Sequence, residues 1–374
     1  MIKLLFFIDT TLASGGAEKV LCELVNNLNP EEFDVTVQTL WPEDAKRYLA
    51  PHVHYRSIFS VKNKMNKLRF RVEAQLGLVY EKHIKGDYDI EVAYLECGPT
   101  KIISGSSNRK AVKLAWVHCD LHRMTDNPTA FAKKAKKWYA KYDKVVCVSE
   151  QVMMCYRSMF GEEPQSLVLY NTVDDEKIRG KANASVDAIP QKGRPVAATV
   201  GRMYHSKGYD RLLEAHHKLL QDGIAYDLWI LGEGPERGML EKMVQDYGME
   251  ETVHFLGFQQ NPYAFMKAAD LIVCSSRYEG FSTVITEALI LGKPVVTTPC
   301  SGMRELLGDS QYGLITEDSV DGIYSGMKKM LEDPTLRESY AQAAAQRGTV
   351  FSKTERIAET ENFFRSVLEE KQKR

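Results

Sequence analysis

The stretch DLIVCSSRYEGFSTVITEALILG, residues 270–292, joins an apolar run to a helical segment. The run Asp270–Cys274 predicts a strand, and the helix that follows is expected to end near Gly292. Gly280 permits a tight turn between them, and the first N–H groups of a helix have no partner within it. The stretch therefore predicts a strand–turn–helix unit of an α/β fold, with an oxygen-rich ligand near the start of the helix.

Two carboxylates, Glu279 and Glu287, lie around this turn. The helix begins with Thr283-Val-Ile-Thr286, which is β-branched throughout and has low helix propensity. Local preference yields here to what we interpret as a ligand site. The alternative is that Glu279 offsets the helix dipole and that Glu287 lies on a solvated face. The stretch alone leaves both interpretations open.

Strand-like runs alternate with helical segments along the rest of the chain, which predicts two doubly wound α/β domains with parallel sheets. A length of 374 residues also exceeds one ordinary core. The small, polar segment 180–195 is the predicted linker. Strands are predicted near residues 2–8, 33–40, 89–95, 111–117, 144–148, 166–170, 195–200, 226–231, 252–256, 270–274 and 293–298. Ligands bind beyond the carboxyl ends of such strands, so an interdomain cleft is the expected site.

Composition is that of a globular protein, with 44% hydrophobic and 26% charged residues. The first apolar run, Ile2–Ile8, is stopped by Asp9, so we interpret it as a buried strand and not as a signal peptide. No later run has the length needed to cross a bilayer. The seven cysteines form no Cys-x-x-Cys pair, so no structural zinc site is expected. We interpret all seven as reduced residues in the core of a cytoplasmic protein.

Further candidate residues follow predicted strands. Gly15 and Gly16, after Ser14, open a helix where backbone N–H groups can meet an anion, although a tight turn explains a glycine pair equally well. His118 follows the run 111–117, and a lone histidine is more often structural than catalytic.

In the second half, Gly201-Arg202 ends one strand and Lys207-Gly208 opens the next helix. Two cations and a helix N-terminus at one place suit a diphosphate better than a single carboxylate. The alternative is a pair of solvated surface cations near a turn.

Two basic runs lie in the first half of the chain. They comprise Lys62, Lys64, Lys67, Arg69 and Arg71 around Phe70, and Lys133, Lys134, Lys136, Lys137, Lys141 and Lys144. In the second run, Phe131, Ala135, Trp138 and Tyr142 recur at helical spacing, and such a helix can lie on an anionic membrane surface. Alternatively, the aromatic residues enter the core while the lysines stay solvated. Nucleic acid is not an expected partner, because the pI is about 6.8 and no base-reading module is recognised.

The ordered motifs resemble those of the retaining glycosyltransferases of family four, of the bacterial polysaccharide-assembly type, which have the GT-B fold. The resemblance runs nearly end to end and is carried by Asp9 to Glu18, His118, Gly201-Arg202 with Lys207-Gly208, Gly232 to Pro235, and Glu279-Gly280-Phe281 with Glu287-Ala288. It implies two Rossmann-like domains facing an interdomain cleft. Residues 1–180 would bind the acceptor, residues 181–352 would bind the nucleotide-sugar, and the helix within 353–374 would cross back to the first domain.

Roles follow from this resemblance and from the chemistry of transfer. Charge grows on the leaving diphosphate, where Arg202 and Lys207 are expected to stabilise it. His118 and Glu279 complete the expected catalytic set, with His118 on the acceptor side and Glu279 positioning the donor sugar; a nucleophilic Glu279 is disfavoured. The expected donor-binding residues are Gly15, Gly16, Gly201, Gly280, Phe281, Ser282, Thr283 and Glu287, the last for the ribose hydroxyls. The expected membrane or acceptor surface comprises Lys133, Lys134, Lys136, Lys137 and Trp138.

No metal or other cofactor is expected, because two cations can replace a divalent metal and no Asp-x-Asp pair suited to one occurs. Ser301-Gly302 stands where many family members have a Gly-Gly pair, and Ser-Thr-Val follows Phe281 where other residues often occur. Both departures leave the donor open, with a uridine diphosphate sugar favoured.

The basic runs favour a lipid-linked saccharide acceptor at the inner membrane face, with a soluble acceptor as the alternative. A nucleotide-sugar epimerase and a non-catalytic sugar-binding protein also remain open. A dinucleotide oxidoreductase is disfavoured, since no Gly-x-Gly-x-x-Gly run follows either first strand.

Overall fold

The computed structural model of the protein describes residues 1–12, 15–162, 164–186, 189–190 and 193–373. The chain divides into two compact units. Unit 1 comprises Met1–Thr172 with Thr354–Arg374, and unit 2 comprises Val173–Lys353. Each unit contains one parallel sheet with helices between successive strands, so the predicted α/β class with two doubly wound domains is confirmed.

Unit 1 contains a seven-stranded sheet. Its strands are β1 (Ile2–Phe7), β2 (Phe33–Thr39), β3 (His54–Ser57), β4 (Ile90–Ala93), β5 (Val112–Val117), β6 (Lys144–Cys147) and β7 (Ser166–Val168). Their order is β3-β2-β1-β4-β5-β6-β7, and every neighbouring pair is parallel. Residues 4–8 are fully buried, as expected for a strand with both faces covered.

Among the described residues of unit 1, six α-helices lie between the first and the last strand in chain order. They are α1 (Gly16–Asn27), α2 (Lys64–Leu76), α3 (Val79–His83), α4 (Gly98–Ile103), α5 (Pro128–Tyr139) and α6 (Glu150–Phe160), with a 3₁₀ turn at Ala45–Arg47. Helix α1 begins at Gly16, the second residue of the glycine pair that was predicted to open a helix. The preceding Ser14 lies outside the described residues.

Unit 2 contains a six-stranded sheet. Its strands are β8 (Val196–Val200), β9 (Asp227–Leu231), β10 (Val253–Gly257), β11 (Leu271–Cys274), β12 (Val295–Thr297) and β13 (Leu314–Ile315). They are ordered β10-β9-β8-β11-β12-β13 and are all parallel. The helices are α7 (Asp175–Ala182), α8 (Tyr209–Gln221), α9 (Arg237–Asp246), α10 (Pro262–Ala268), α11 (Thr283–Ile290), α12 (Met303–Leu307), α13 (Val320–Glu332) and α14 (Pro334–Gly348), with a 3₁₀ turn at His205–Lys207.

The strand order places candidate residues at one edge of each sheet. Strand β1 lies between β2 and β4, and β8 lies between β9 and β11, so the winding direction reverses beside the first strand of each unit. Loops diverge at such a point and leave a crevice at the carboxyl ends of the strands. The loops that follow β1, β4, β8 and β11 are therefore the places to look for a site.

The final helix, α15 (Lys353–Gln372), packs on unit 1. Phe364 is fully buried, and its ring centroid lies 6.2 Å from that of Phe6 and 6.1 Å from that of Phe33. Arg365 forms a bidentate ion pair with Glu32, in which Nε and Nη2 each donate to one carboxylate oxygen at 2.7 Å. These contacts hold the last helix against the start of the sheet.

Each of the eleven predicted strands overlaps an observed one, and the prediction missed β3 and β13. Strand β3 reads His-Tyr-Arg-Ser with no fully buried residue, and β13 has only two residues. Both lie at a sheet edge, where no apolar run is required. The predicted linker was also too long at its start, because residues 180–182 belong to α7. Its residues 187, 188, 191 and 192 lie outside the described residues.

All seven cysteines are free, and four of them are buried. Cys97 is exposed and Cys119 and Cys155 are half-buried, so the expectation that all seven are core residues was wrong. None of the described helices has the length and apolar character that spanning a bilayer requires.

Candidate functional site

A half-buried ion pair lies at the carboxyl edge of the sheet in unit 2. Lys207 Nζ donates to Glu279 Oε1 at 2.6 Å, and Ser276 Oγ donates to the same oxygen at 2.6 Å. The side chains of Lys207 and Glu279 are 28% and 14% exposed. Two residues that are 72 positions apart in sequence, and that were both predicted as catalytic, are thus in direct contact.

The ion pair keeps Lys207 charged. Burial acts to lower the pKa of the Lys207 ammonium, but attraction to Glu279 and the hydrogen bond between them outweigh it and raise the pKa. A cation that resists deprotonation suits the stabilisation of a charged phosphate.

Helix α11 begins beside this pair. Ser282 caps the helix by accepting a hydrogen bond from Ile285 N, and Thr286 Oγ1 donates to Ser282 O at 3.0 Å. The side chain of Thr286 thus satisfies a backbone carbonyl, a bond that a straight-chain aliphatic residue cannot make. The poor local propensity of this first turn is therefore offset by capping and by burial.

Gly280 and Phe281 are packed tightly against the loop after β12. A Cβ atom at Gly302, where φ is +78°, would lie 2.7 Å from Gly280 O and 3.1 Å from the Phe281 ring. Ser301-Gly302, which departs from the usual family pair, therefore lies directly against the Glu279-Gly280-Phe281 turn.

Glu287 is only 3% exposed. The alternative in which Glu287 occupies a solvated face is therefore wrong, because the second turn of α11 is buried on every side. Thr283, one turn earlier, is half-buried.

Arg202 lies on a turn that two glycines hold in place. Gly201 N donates to Leu231 O at 2.9 Å, and Gly232 packs so closely that a Cβ there would lie 2.0 Å from Gly201 O. The Arg202 side chain is exposed, with its guanidinium 4.9 Å from the centre of the Tyr204 ring. A Cβ at Gly201 would lie 3.5 Å from Lys207 Cε, so this turn adjoins the Lys207 side chain.

The structure brings some predicted residues of unit 2 together and separates others. Lys207, Glu279 and Ser282 line one small recess between β8 and β11. Arg202 and Glu287 are not among the residues that line it. Ser276, which sequence reasoning missed, also lines the recess. Its position two residues after a predicted strand was the available signal.

The corresponding edge of unit 1 carries His118 and a carboxylate that sequence reasoning missed. Glu96 Oε1 accepts hydrogen bonds from the backbone N–H groups of His118 and Cys119. Burial raises the pKa of Glu96, and these hydrogen bonds oppose the rise. Glu96 therefore fixes the backbone at the end of β5, where His118 begins the loop.

His118 is held as a neutral imidazole. Burial lowers its pKa to about 3, despite a hydrogen bond with the Tyr94 backbone, and its ring centroid lies 4.6 Å from that of Tyr94. The buried Nε2 atom has no hydrogen-bond partner within the described part of the chain. A neutral nitrogen of this kind can hydrogen-bond to a ligand but carries no charge.

Asp9, which ends the first strand run, has a perturbed carboxyl group. Burial raises its pKa from 3.8 to about 6, and repulsion from Glu18 contributes. Because the folded pKa exceeds the unfolded one, the folded state binds the proton more tightly, and its stability falls as pH rises between these two values.

Asp9→Asn is therefore expected to stabilise the protein at about pH 8 by up to about 3 kcal/mol and to leave it unchanged near pH 4. Urea unfolding of both proteins across this range measures the difference. A difference that stays constant with pH would show that Asp9 is not the titrating group.

The second basic run extends along α5, through the turn after it, to Lys144 at the start of β6. Lys133, Lys134, Lys136 and Lys137 are exposed. Trp138 is 9% exposed and packs into unit 1, with Lys134 Nζ 5.7 Å from its ring centre. The expectation that Trp138 belongs to the exposed surface is thus wrong, because the apolar face of α5 covers the domain core. The alternative interpretation holds for this aromatic residue.

Across the residues that the structure describes, no three His, Cys, Asp or Glu side chains are grouped to hold a metal ion. The sequence has one Asp-x-Asp pair, Asp87 and Asp89, and it lies just before β4, at the amino end of that strand. Asp89 accepts a hydrogen bond from Lys3 N at 2.8 Å, which is a structural role.

Comparison with known proteins identifies the relatives of this chain. A family model described as glycosyl transferases group 1 matches residues 182–347. The chain is 30% identical over 363 residues to the N-acetylgalactosamine-N,N'-diacetylbacillosaminyl-diphospho-undecaprenol 4-alpha-N-acetylgalactosaminyltransferase of Campylobacter jejuni, covering 94% of this chain and 96% of that protein. It is 24% identical over 348 residues to the amylovoran biosynthesis glycosyltransferase AmsD of Erwinia amylovora, covering 92% and 95%.

Among solved structures, Anabaena HepE in complex with UDP-glucose superposes with a TM-score of 0.79 at 19% identity, covering 98% of this chain and 100% of that one. At this identity the likeness concerns the fold alone, and it confirms the GT-B fold that the resemblance implied.

Proposed function

The chain belongs to the group 1 glycosyl transferases, and we propose that it moves a sugar, with retention of anomeric configuration, from a uridine diphosphate sugar to a lipid-linked saccharide in surface polysaccharide assembly. The observation that carries the proposal is the 30% identity along 94% of the chain to the Campylobacter jejuni transferase, whose name specifies a diphospho-undecaprenol acceptor. UDP-glucose in the similarly folded Anabaena structure favours uridine as the base.

Lys207 and Arg202 are proposed to stabilise the leaving diphosphate. In the reaction, the bond from the anomeric carbon to the diphosphate oxygen breaks, and the acceptor hydroxyl oxygen forms the new bond. The acceptor proton passes to the leaving phosphate. Lys207 stays positive beside Glu279, and Arg202 is exposed on a turn that adjoins Lys207, which supports this assignment.

Glu279 is proposed to position the donor sugar. Both of its hydrogen bonds given above, from Lys207 and Ser276, use Oε1, so we assign Oε2 to a sugar hydroxyl. Neutralisation by Lys207 weakens a carboxylate as a nucleophile, which supports positioning over covalent catalysis. The backbone of Gly280, Phe281 and Ser282, with Thr283, is proposed to complete the donor-sugar contacts.

Glu287 is proposed to accept hydrogen bonds from the ribose hydroxyls. Its buried carboxylate has two acceptor oxygens, which suit two hydroxyl groups on adjacent carbon atoms. Gly201 is proposed to let the diphosphate approach the backbone, and Gly15 and Gly16 to offer N–H groups at the start of α1. The neutral Nε2 of His118, which has no hydrogen-bond partner among the described residues, is proposed to hydrogen-bond to substrate without adding charge.

The test is a panel of nucleotide-sugars, followed by transfer to a lipid-diphosphate-linked saccharide. A preferred UDP-sugar is expected to raise the melting temperature, because a ligand that binds only the folded state stabilises it. Addition of acceptor is expected to accelerate UDP release and to increase the acceptor mass by one sugar. Conversion of the donor to an isomer without an acceptor would indicate an epimerase, and binding without turnover a sugar-binding protein.

Metal-independent turnover is also proposed, because Lys207 and Arg202 can supply the positive charge that a divalent ion would otherwise bring to the diphosphate. Transfer rates with and without a chelator are expected to agree within about twofold. Removal of one preorganised hydrogen-bonding group from the site would reduce the rate far more than that. Strict dependence on added Mg²⁺ or Mn²⁺ would refute the assignment. We propose no other cofactor.

We further propose that unit 1 contacts an anionic membrane at the cytoplasmic face. The exposed lysines of α5 support this proposal, since clustered lysines close to a membrane are attracted to its anionic lipids. Salt-sensitive sedimentation with anionic vesicles measures the contact.

A further inference from the structure

Exposed apolar side chains are concentrated on one segment of unit 1. In the described part of the chain, six of the thirteen large hydrophobic residues that are exposed lie between residues 61 and 78. Four of them are on α2: Met65, Leu68, Val72 and Leu76 are 74%, 63%, 47% and 66% exposed. Their spacing of three or four residues places them in one row along the helix. A contiguous exposed row of this kind marks an interaction surface.

A neighbouring face of α2, which carries Glu73, is anchored to unit 1, so the exposed apolar row is directed outward. Glu73 is 4% exposed and pairs with Arg69 at 2.9 Å, Lys82 at 3.1 Å and His83 at 2.6 Å. Burial alone would raise the pKa of Glu73, but the hydrogen bonds from His83, Arg69 and Lys82 hold it at about 2. The helix cannot turn its apolar row inward without burying or breaking this network.

The surface around the apolar row is positively charged. Residues 45–72 contain no Asp or Glu. The side chains of Lys62, Lys64, Lys67 and Arg71 are exposed, and across the described ranges none of these four forms an ion pair. Cations beside an outward apolar row match the chemistry of an anionic lipid surface.

A further cation, Lys101 on α4, lies next to α2. Lys101 Nζ donates to Ala74 O on α2. Burial lowers the pKa of Lys101, and repulsion from Lys134 and Lys137 of α5 lowers it further. Lys101 of α4 is therefore close both to α2 and to the lysines of α5.

We propose that α2 lies in the surface of an anionic bilayer, with Met65, Leu68, Val72 and Leu76 among the upper acyl segments and the neighbouring lysines at lipid phosphates. This inference rests on the proposed membrane contact and adds the element that enters the bilayer. A second copy of the chain is the less favoured partner for the apolar row of α2. A two-fold contact through α2 would place the cations of one copy against the same cations of the other.

The first experiment is sedimentation with vesicles containing phosphatidylglycerol, with phosphatidylcholine vesicles for comparison. The variant Met65→Ser, Leu68→Ser, Val72→Ser, Leu76→Ser keeps every charge, and it is expected to lower the vesicle partition coefficient by about tenfold or more. Its melting temperature and its donor hydrolysis are expected to match the parent, since all four side chains are exposed. The control variant Met154→Ser, Met239→Ser, Phe258→Ser removes exposed apolar groups elsewhere and is expected to bind like the parent.

Charge variants separate this inference from the proposed membrane contact. Lys64→Glu with Lys67→Glu and Arg71→Glu tests α2, and Lys133→Glu with Lys134→Glu, Lys136→Glu and Lys137→Glu tests α5. Both are expected to weaken binding to anionic vesicles. Loss of binding by the α5 variant with parent-like binding by the α2 serine variant would overturn the inference and leave the membrane contact standing. Parent-like binding by all of these variants would overturn both.

Position in the bilayer is measured with a tryptophan at the apolar row. Leu68→Trp is expected to be quenched by lipids with brominated acyl chains, and Met154→Trp is not. Light scattering without vesicles measures the molar mass of the protein in solution, and so whether it is a monomer or a dimer. A dimeric parent that becomes monomeric in the α2 serine variant would assign the row to self-association and overturn the inference.

Discussion

Lys207→Ala is expected to slow sugar transfer by about 100- to 1000-fold, the effect of removing one preorganised group from a developing charge. The ammonium lies 2.6 Å from Glu279, beside the turn that carries Arg202, and its raised pKa keeps it positive. The measurement is kcat/KM for UDP release with donor and acceptor present. Unchanged donor hydrolysis and transfer would remove Lys207 from the phosphate site.

Stability must be measured beside the rate, because Lys207→Ala leaves Glu279 with Ser276 as its remaining hydrogen-bond donor of the two. Both side chains are partly exposed, so the expected loss is about 1–2 kcal/mol. Adding Glu279→Gln to Lys207→Ala is expected to recover part of the stability and none of the rate. Lys218→Ala is the matched control, since Lys218 is an exposed lysine that pairs with Asp321 on the surface of the same unit.

Gly232→Ala is expected to lower the free energy of unfolding by about 3 kcal/mol or more. The residue has φ of +135°, and a Cβ would lie 2.0 Å from Gly201 O and 2.8 Å from Gly201 C. Both are backbone atoms, so no side chain can move aside. The Gly201-Arg202 turn must shift, and donor binding is expected to weaken with it. Urea unfolding and donor-induced thermal stabilisation measure the two effects.

Gly238→Ala is the matched control for this substitution. Gly238 lies in α9, and a Cβ there meets no atom within 4 Å. Alanine has the higher helix propensity, so the control is expected to gain up to about 1 kcal/mol. Equal stability of the Gly232→Ala and Gly238→Ala proteins would contradict the close packing of Gly232 on Gly201.

The predicted strands were located well because a parallel strand that is covered on both faces must be continuously apolar. Strands β3 and β13 escaped because edge strands carry no such requirement. The two basic runs show a different limit. Periodicity identified the residues of α5 that share a face with Trp138, but the same reasoning did not notice the row from Met65 to Leu76. The apolar face of α5 packs on the domain core, whereas the apolar row of α2 is exposed.

By itself the sequence determined the α/β class, the two parallel sheets and the placement of Lys207 and Glu279 after strands, because hydrophobic runs and turn residues are local properties. Only the tertiary structure paired these two side chains across 72 residues, buried Glu287 and exposed the apolar row of α2. It also left His118 Nε2 without a hydrogen-bond partner in the part of the chain that the structure describes. Such features depend on which distant segments meet and on how much water they exclude. Burial then sets both the charge state of a side chain and the partners that remain open to it.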